Sequence, residues 1–567
     1  ALPFVLSARS PQALRDYAAR LHTHLTDHPD LDLAAVATTL THRTPHPHRA
    51  VAIATHHHEL LTALHALTTD QPHPHLIQNH ATTPGKTVFV LPGQGSQWPG
   101  MALTLQQQNP VFAHHLHHTA TTLQKHLPYN LQHTLQHTRD NPETLQHIDT
   151  LQPLLFLLNT ALALTWHTYG LTPDAYIGHS QGEIAAAHLA GALTLDQAAQ
   201  IITHRSHLFA THLTGHGAIA TLELPLDQTQ TLLTHHPHLS IAGTNSPTAT
   251  NIAGPTPQLH QLVTHLKNHN TRAHIIPATV PSHSPAVDPL HPHILNHLNH
   301  LTPTPTHTPL HSTLTTQPIN GTHLTAQYWY DNARQPVNFH HTINNLLTTG
   351  HTTYLEPSPH PVLTPHIEQT AHHHNTPIHT ITTLRRDHDT HHQLLTNLAH
   401  AWTTGHPITF QPTLPPTTPT HLPTYPFQHH PYWISTARHA EPPAPANAAD
   451  GAFWQAVEAG DAVGLAHLVD ASDDVPLREV LPTLAAWRER SDGRSRIDSW
   501  RYRTEWQPVG AAPGAGAATG TWLAVVPAAG EGVEATAVLE ALVHAGVQVV
   551  RVPADPDRQV LAERLRT

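Results

Sequence analysis

The chain reads as an α/β protein: a hydrolase-like parallel-sheet core with a ferredoxin-like subdomain inserted into it, flanked by smaller α/β units. Three observations carry that expectation. Gly178-His179-Ser180-Gln181-Gly182 follows the apolar run Ala175-Tyr176-Ile177 and leads into a helix-prone segment from Glu183 to Gly191. That is the strand, sharp turn and helix of a nucleophile elbow. From about 216 to 280 the periodicity alternates as β-α-β-β-α-β, the order of a ferredoxin-like motif. Near residue 436 the composition breaks: 34 charged residues precede it, and residues 437–567 hold 30.

Taken in order, residues 1–84 form a small α/β unit. Phe4-Val5-Leu6-Ser7 is strand-like, Pro11 to Leu25 is an amphipathic helix behind a Ser capping signal, and 48–67 pairs a strand (Ala50 to Ala54) with a helix. A strand at Thr87 to Leu91 ends in Pro92-Gly93-Gln94-Gly95-Ser96-Gln97, and helical segments cover roughly 102–126 and 152–168 before the elbow. The inserted part has strands at Ile219 to Leu224, Ser240 to Ala242, Thr250 to Ile252 and Ala273 to Ile276, with helices at 226–234 and 257–268. Stretches rich in Ala, Gly and Pro at 440–449 and 511–518 read as linkers.

Composition narrows the function. The formal charge of -12 argues against nucleic acid as the main partner. The absence of cysteine removes disulfides and a thiol nucleophile. No apolar run reads as long enough to span a bilayer and no signal peptide is evident, so a cytoplasmic protein is expected, without a membrane partner. The start at Ala1 suggests a piece of something longer.

Histidine is abundant, at 63 residues against 26 for Lys plus Arg. The runs His56-His57-His58 and His372-His373-His374 are scattered among Thr, Pro, Gln and Asn rather than set among carboxylates, so no metal site is expected. They read as solvated surface, with net charge and solubility changing steeply between roughly pH 7 and 6.

A serine nucleophile needs a base, an oxyanion hole and a substrate anchor. Glycines flank Ser180 because the turn is tight, and the helix that follows presents its N-terminus to developing negative charge. His283, in Val280-Pro281-Ser282-His283-Ser284-Pro285, is the best base candidate, because it follows the inserted subdomain where the chain returns to the cleft. His179 is a second contender, expected to pack rather than abstract a proton. Glu183 is read as a first-turn carboxylate complementing the helix dipole.

These residues resemble the acyltransferase region of a modular type I polyketide synthase. The matching motifs are Gly93-Gln94-Gly95-Ser96-Gln97, the elbow, Arg205 in His204-Arg205-Ser206, Ser282-His283-Ser284-Pro285, and Ser358-Pro359-His360-Pro361-Val362-Leu363. Residues 1–84 resemble the linker domain that follows a ketosynthase, and 85–385 the acyltransferase. Residues 386–436 resemble the post-acyltransferase linker, through Tyr425-Pro426-Phe427-Gln428 and on to Tyr432-Trp433. Residues 437–567, with Trp487-Arg488 and Trp500-Arg501-Tyr502, resemble the start of an α/β ketoreductase structural subdomain. This part lacks a Gly-rich fingerprint, so NADPH binding is not expected of it.

The resemblance implies Ser180 as nucleophile and His283 as its base, held by a backbone carbonyl rather than an Asp. It implies an oxyanion hole from the backbone N–H groups of Gln94 and Gln181, and Arg205 as partner of a malonyl-type carboxylate. The donor would be an acyl-CoA and the acceptor the phosphopantetheine thiol of an acyl carrier protein, with no bound cofactor. Neighbouring ketosynthase and ketoreductase domains and a homodimeric parent module are implied too. Gln181 after the serine, Ile148-Asp149-Thr150-Leu151-Gln152-Pro153, and Ser282 before the base resemble methylmalonyl users. Val280 and Pro281 depart from that pattern where Tyr and Ala are common, so malonyl, or a larger substituent such as ethylmalonyl, stays open. Two other classes remain: a serine hydrolase drawing on Asp196 or Asp288, and a non-catalytic scaffold.

Overall fold

The computed structural model describes residues 1–277, 280–428, 448–468, 520–526, 533–554 and 560–561, with single residues 481, 485 and 565. Tyr432-Trp433, Trp487-Arg488, Trp500-Arg501-Tyr502 and the stretch 511–518 lie outside the described residues. Residues 1–430 form one compact unit and 431–567 another.

The first unit begins with an antiparallel sheet of β1 (Leu2–Ala8), β2 (His48–Ala54) and β3 (Leu76–His80), packed against the helices Pro11–Asp27 and His57–Thr68. Ser10 caps the first helix by accepting from the N–H of Ala13 at 3.1 Å. The helix Thr390–Thr404 packs back on β2 and β3. Arg49 fixes it, donating to the carbonyl of Trp402 at 2.6 Å with its guanidinium 4.9 Å over the indole. The chain beyond then runs along the N-terminal sheet, where the hydroxyl of Tyr425 accepts from the N–H of Arg9 at 3.0 Å. The expected linkers before and after the core are therefore two parts of one packed body.

The main sheet follows with β4 (Lys86–Leu91), β5 (Ala175–Gly178), β10 (Leu310–His311), β11 (Pro318–Ile319), β12 (His351–Glu356) and β13 (His379–Thr382), in the order β11-β10-β5-β4-β12-β13. All pairs are parallel except the edge pair β10–β11. Alternation along β4 serves two cores: Phe89 and Leu91 face one, Val88 and Val90 the other. A sheet covered on both faces reads as a continuous apolar run, as Val88 to Leu91 does.

The inserted subdomain, β6 (Ala218–Leu222), β7 (Ser240–Ser246), β8 (Ala249–Gly254) and β9 (Ala273–Ile275), is antiparallel in the order β7-β8-β6-β9, with helices Leu226–Leu233 and Thr256–Asn268. This is the ferredoxin-like arrangement expected from the sequence.

Two expectations need correction. The segment 102–126 is not one helix but Leu103–Gln108 and Pro110–Leu123, because Asn109 caps the second helix, accepting from the N–H of Phe112 at 2.9 Å, and Pro110 opens it. The helix Ile148–Thr168 is long and apolar enough to cross a bilayer, contrary to the reading of no such run, yet most of it is buried within the protein as a core helix. Pro153 inside this helix deprives the carbonyl of Asp149 of its partner four residues on, and the Tyr129 hydroxyl donates to that carbonyl at 2.8 Å instead.

In the second unit, helices Ala448–Ala459 and Ala462–Leu468 pack through Val457 and Leu465. Farther on, β14 (Thr521–Val526) and β15 (Gln548–Pro553) pair in parallel and are joined through the helix Val533–His544.

Candidate active site

The elbow leaves β5 at Gly178 and enters the helix Gly182–Leu189. Ser180 holds a left-handed φ of 55°, a conformation that costs a non-glycine residue on the order of 1–3 kcal/mol. The flanking glycines allow it. A Cβ on Gly182 would stand 2.1 Å from the carbonyl oxygen of Leu91, and one on Gly178 would stand 2.2 Å from the Cα of Glu183.

Ser180 Oγ lies 2.7 Å from His283 Nε2 and accepts from Arg205 Nη2 at 3.2 Å. His283 also has positive φ, 57°, and its N–H donates to the carbonyl of Ala333 at 2.9 Å. Its Nδ1 is 2.9 Å from the carbonyl oxygen of Gln335. A carbonyl only accepts, so Nδ1 carries the proton and Nε2 offers its lone pair to the serine. Burial, and then the charge of Arg205, push the His283 pKa down to about 3, which keeps the imidazole neutral at ordinary pH.

Arg205 comes from the helix Leu195–His212 and is 5 % exposed. Its Nη1 donates to Asn332 Oδ1 at 2.8 Å, its guanidinium lies 5.1 Å from the Phe209 ring, and its Nε has no hydrogen-bond partner among the described residues. Burial lowers its pKa to about 10, still far above neutrality, with Glu183 opposing the shift.

Glu183 keeps the first-turn position expected of it, but complementing the dipole is not its whole setting. It is fully buried and accepts from Thr313 Oγ1 at 2.8 Å, from Asn332 Nδ2 at 3.2 Å and from the Tyr328 hydroxyl. Burial pushes its carboxyl pKa up while these donors pull it down. Sequence reasoning missed Tyr328, Asn332 and Gln335. Their signal was a Tyr and an Asn four residues apart on the helix Ala326–Arg334, hence on one face.

The loop Pro92–Gln97 packs beside the elbow. Asn159 donates to the carbonyl of Pro92 at 3.1 Å, and Gln152 donates to Gln94 Oε1 at 3.3 Å. On its other side is the loop Ser358–Leu363, pinned by Glu356, a buried carboxylate that accepts from the N–H groups of Val362, Leu363 and Thr364 at 2.8, 3.0 and 2.8 Å. Trp98 Nε1 donates to the carbonyl of Pro359 at 3.0 Å, tying this loop to the chain following the first.

A cavity of about 600 Å³ opens onto Ser180 between the core and the inserted subdomain, lined among others by Gln94, His283, Ile219, Asn251 and Val362. Ser282 also lines it, whereas Gln181 and Val280 are buried, at 4 % exposed each. Among the described residues, neither amide atom of the Gln181 side chain has a hydrogen-bond partner. His179 packs as expected, with Nε2 2.9 Å from Asn245 Oδ1 and its ring edge-on to Phe339.

The two carboxylates a triad hydrolase would draw on are engaged elsewhere. Asp288 pairs with Arg334 and accepts from Tyr330 at 3.1 Å, and Asp196 lies 2.9 Å from His126. The histidine runs are largely exposed, as read: His56, His58 and His372 to His374 face solvent and His57 is half-buried, whereas the isolated His311, His351, His391 and His406 are buried. Among the described residues, no group of three metal-ligating side chains converges.

Residues 88–407 match the family model described as acyl transferase domain. The chain belongs to that family. Two further models match this acyltransferase, a CurL-like polyketide synthase C-terminal region at 3–64 and a polyketide synthase dimerisation element at 450–494. The latter falls inside the span 437–567, which the sequence reading gives wholly to a ketoreductase subdomain. The acyltransferase is 37 % identical over 603 aligned residues to the polyketide synthase GfsA of Streptomyces halstedii, covering all of this chain and 8 % of that protein. The pikromycin synthase component PikAIII of Streptomyces venezuelae is 34 % identical, with all of this chain covering 32 % of it. The chain thus spans a minor part of these relatives. Among solved structures, the acyltransferase domain from module 8 of the salinomycin synthase is 36 % identical with a TM-score of 0.68, covering 72 % of this chain and 97 % of that one. These relatives make it the acyltransferase region of a modular polyketide synthase.

Proposed function

We propose that this acyltransferase loads a malonyl-type extender, methylmalonyl foremost, from CoA onto Ser180 and passes it to the phosphopantetheine thiol of an acyl carrier protein. The observation that carries the reading is Ser180 Oγ held between a neutral imidazole at 2.7 Å and a guanidinium at 3.2 Å. A base alone would serve any acyl group; a buried cation beside the nucleophile favours one that bears a carboxylate.

Ser180 Oγ attacks the thioester carbonyl carbon as its proton passes to His283 Nε2. The negative oxygen of the tetrahedral intermediate is received by the backbone N–H groups of Gln94 and Gln181, the latter at the start of the helix Gly182–Leu189. The C–S bond then breaks, CoA leaves with the proton from His283, and the carrier's thiol repeats the sequence in reverse. Nε and Nη2 form one edge of the planar Arg205 fork, and the partnerless Nε leaves that edge for a bidentate carboxylate. A carboxylate there also offsets the positive charge that depresses His283, so the substrate itself favours the proton transfer.

Gln181 and Ser282 support methylmalonyl; Val280 and Pro281, in place of bulkier or more usual residues, support a larger α-substituent as the second choice. The acyltransferase domain of SpnD, solved in complex with 2-(pent-4-yn-1-yl)malonyl, is 28 % identical with a TM-score of 0.62, covering 73 % of this chain and 97 % of that one. A substituted malonyl is therefore in keeping with this family. The dimerisation-element match supports a homodimeric parent with adjoining ketosynthase and ketoreductase domains.

Incubation with methylmalonyl-CoA, with and without carrier protein, tests the transfer. Acyl carrier is expected as the main product, and methylmalonyl should outcompete malonyl and ethylmalonyl in a mixed panel. Free acid at full rate with the carrier ignored contradicts the proposal.

A further inference from the structure

Glu183 takes no part in the steps above, yet it is a fully buried carboxylate two residues beyond the oxyanion position Gln181. Burying a charge is costly unless it is paired and hydrogen-bonded. Its hydrogen bonds are complete: the Tyr328 hydroxyl on Oε1, and the Thr313 hydroxyl and N–H and Asn332 Nδ2 on Oε2. Its counter-charge lies one side chain farther on. Asn332 receives Arg205 Nη1 on Oδ1 at 2.8 Å while its Nδ2 donates to Glu183 at 3.2 Å.

We propose that Glu183, acting through Asn332, is a positioning residue that fixes the Arg205 guanidinium for the substrate carboxylate. A carboxylate only accepts and a guanidinium only donates, so between them the Asn332 amide has one satisfied orientation. That orientation ties Nη1 and leaves the Nε–Nη2 edge turned to Ser180. Without the anion the amide loses its orienting acceptor, its flipped form would set Nδ2 against Nη1, and the guanidinium would lose its fixed pose. The same relay brings a negative charge near Arg205 without placing it on the edge that the substrate needs. A direct Glu–Arg ion pair would compete with the substrate; an interposed amide does not.

This inference rests on Arg205 being the carboxylate anchor, and the test separates the two. Glu183→Gln, Asn332→Leu, Arg205→Ala and the double variant Glu183→Gln/Arg205→Ala are compared for transfer of methylmalonyl and propionyl groups from CoA to carrier. Glu183→Gln and Asn332→Leu are expected to raise KM for methylmalonyl-CoA with a smaller effect on kcat, and to lower the methylmalonyl-over-propionyl preference roughly tenfold. In the Arg205→Ala background the Glu183 change should alter that preference no further, because its effect passes through Arg205. A structural role would lower stability and both transfers together and leave the preference unmoved. Preference intact in Asn332→Leu, or an equal effect of Glu183→Gln with and without Arg205, overturns the relay alone. Preference intact in Arg205→Ala overturns the anchor and the relay with it. Asn332→Leu decides the matter if Glu183→Gln fails to fold.

Discussion

The Nδ1 nitrogen of His283 lies 2.9 Å from the backbone carbonyl of Gln335, a neutral partner where a Ser-His-Asp triad places a carboxylate. Orientation and tautomer are fixed, but among the described residues no carboxylate bonds the imidazole to support the imidazolium that the proposed proton transfer forms. Under the proposed function that support falls to the substrate, whose carboxylate would offset Arg205.

That arrangement sets the pH profile. As the proposed base, His283 would act when unprotonated, and burial, then the charge of Arg205, lowers its pKa to about 3 with no substrate bound. The acid limb of kcat/KM, which reports the free enzyme, is therefore expected well below the ordinary imidazole value of about 6.5, leaving the profile flat from about pH 7.5 to 5.5. The limb of kcat, measured with the carboxylate bound, should lie higher. Steady-state rates across that range check both, and a kcat/KM limb centred near 6.5 contradicts the account.

Arg205→Ala should abolish discrimination between carboxylated and uncharged acyl groups rather than all transfer. A charge-assisted bidentate contact corresponds to roughly ten- to a hundredfold in preference. Competition between methylmalonyl-CoA and propionyl-CoA measures it, and an unchanged ratio would count against the role.

Stability should fall on acidification. Burial above all holds His283 at about 3 and His311 and His406 at about 4, while an unfolded imidazole titrates near 6.5. Between those values the unfolded chain binds more protons than the folded one. The stabilisation is thus complete above about pH 6.5 and is lost as pH falls toward 4, by at most about 1.4 kcal/mol per pH unit for each group. Thermal melts from pH 7.5 to 5 should show a falling Tm, and a constant Tm would contradict this.

Gly182→Ala should destabilise the fold by about 3 kcal/mol, since the added methyl meets the backbone of Leu91 rather than a movable side chain. Chemical denaturation measures the difference, and a loss below about 0.5 kcal/mol would show that the elbow has room to relax.

Much of this site was legible in the residues. The elbow, the Gly93–Gln97 loop, Arg205 and the segment before His283 are local patterns, and local patterns survive in a sequence. The order of strands between 216 and 280 was likewise readable from periodicity. What stayed hidden was the set of partners brought in from afar: Gln335 offers only a carbonyl, which no side chain advertises, and Asn332 reaches Glu183 across 149 positions. Histidine was legible as exposed runs but not residue by residue. With 63 of them, composition could not separate His311 or His406, which are buried, from the solvated majority pattern. The break at Asn109-Pro110 was written in the chain as a capping signal and was passed over.

The central claim is that Ser180 carries the acyl group between donor and carrier. Mass spectrometry of the peptide containing Ser180, after brief exposure to methylmalonyl-CoA without carrier, tests it most directly. A methylmalonyl ester on Ser180, absent in Ser180→Ala and discharged when carrier protein is added, is the expected result. An unlabelled Ser180 peptide under conditions in which the carrier becomes acylated would contradict the account.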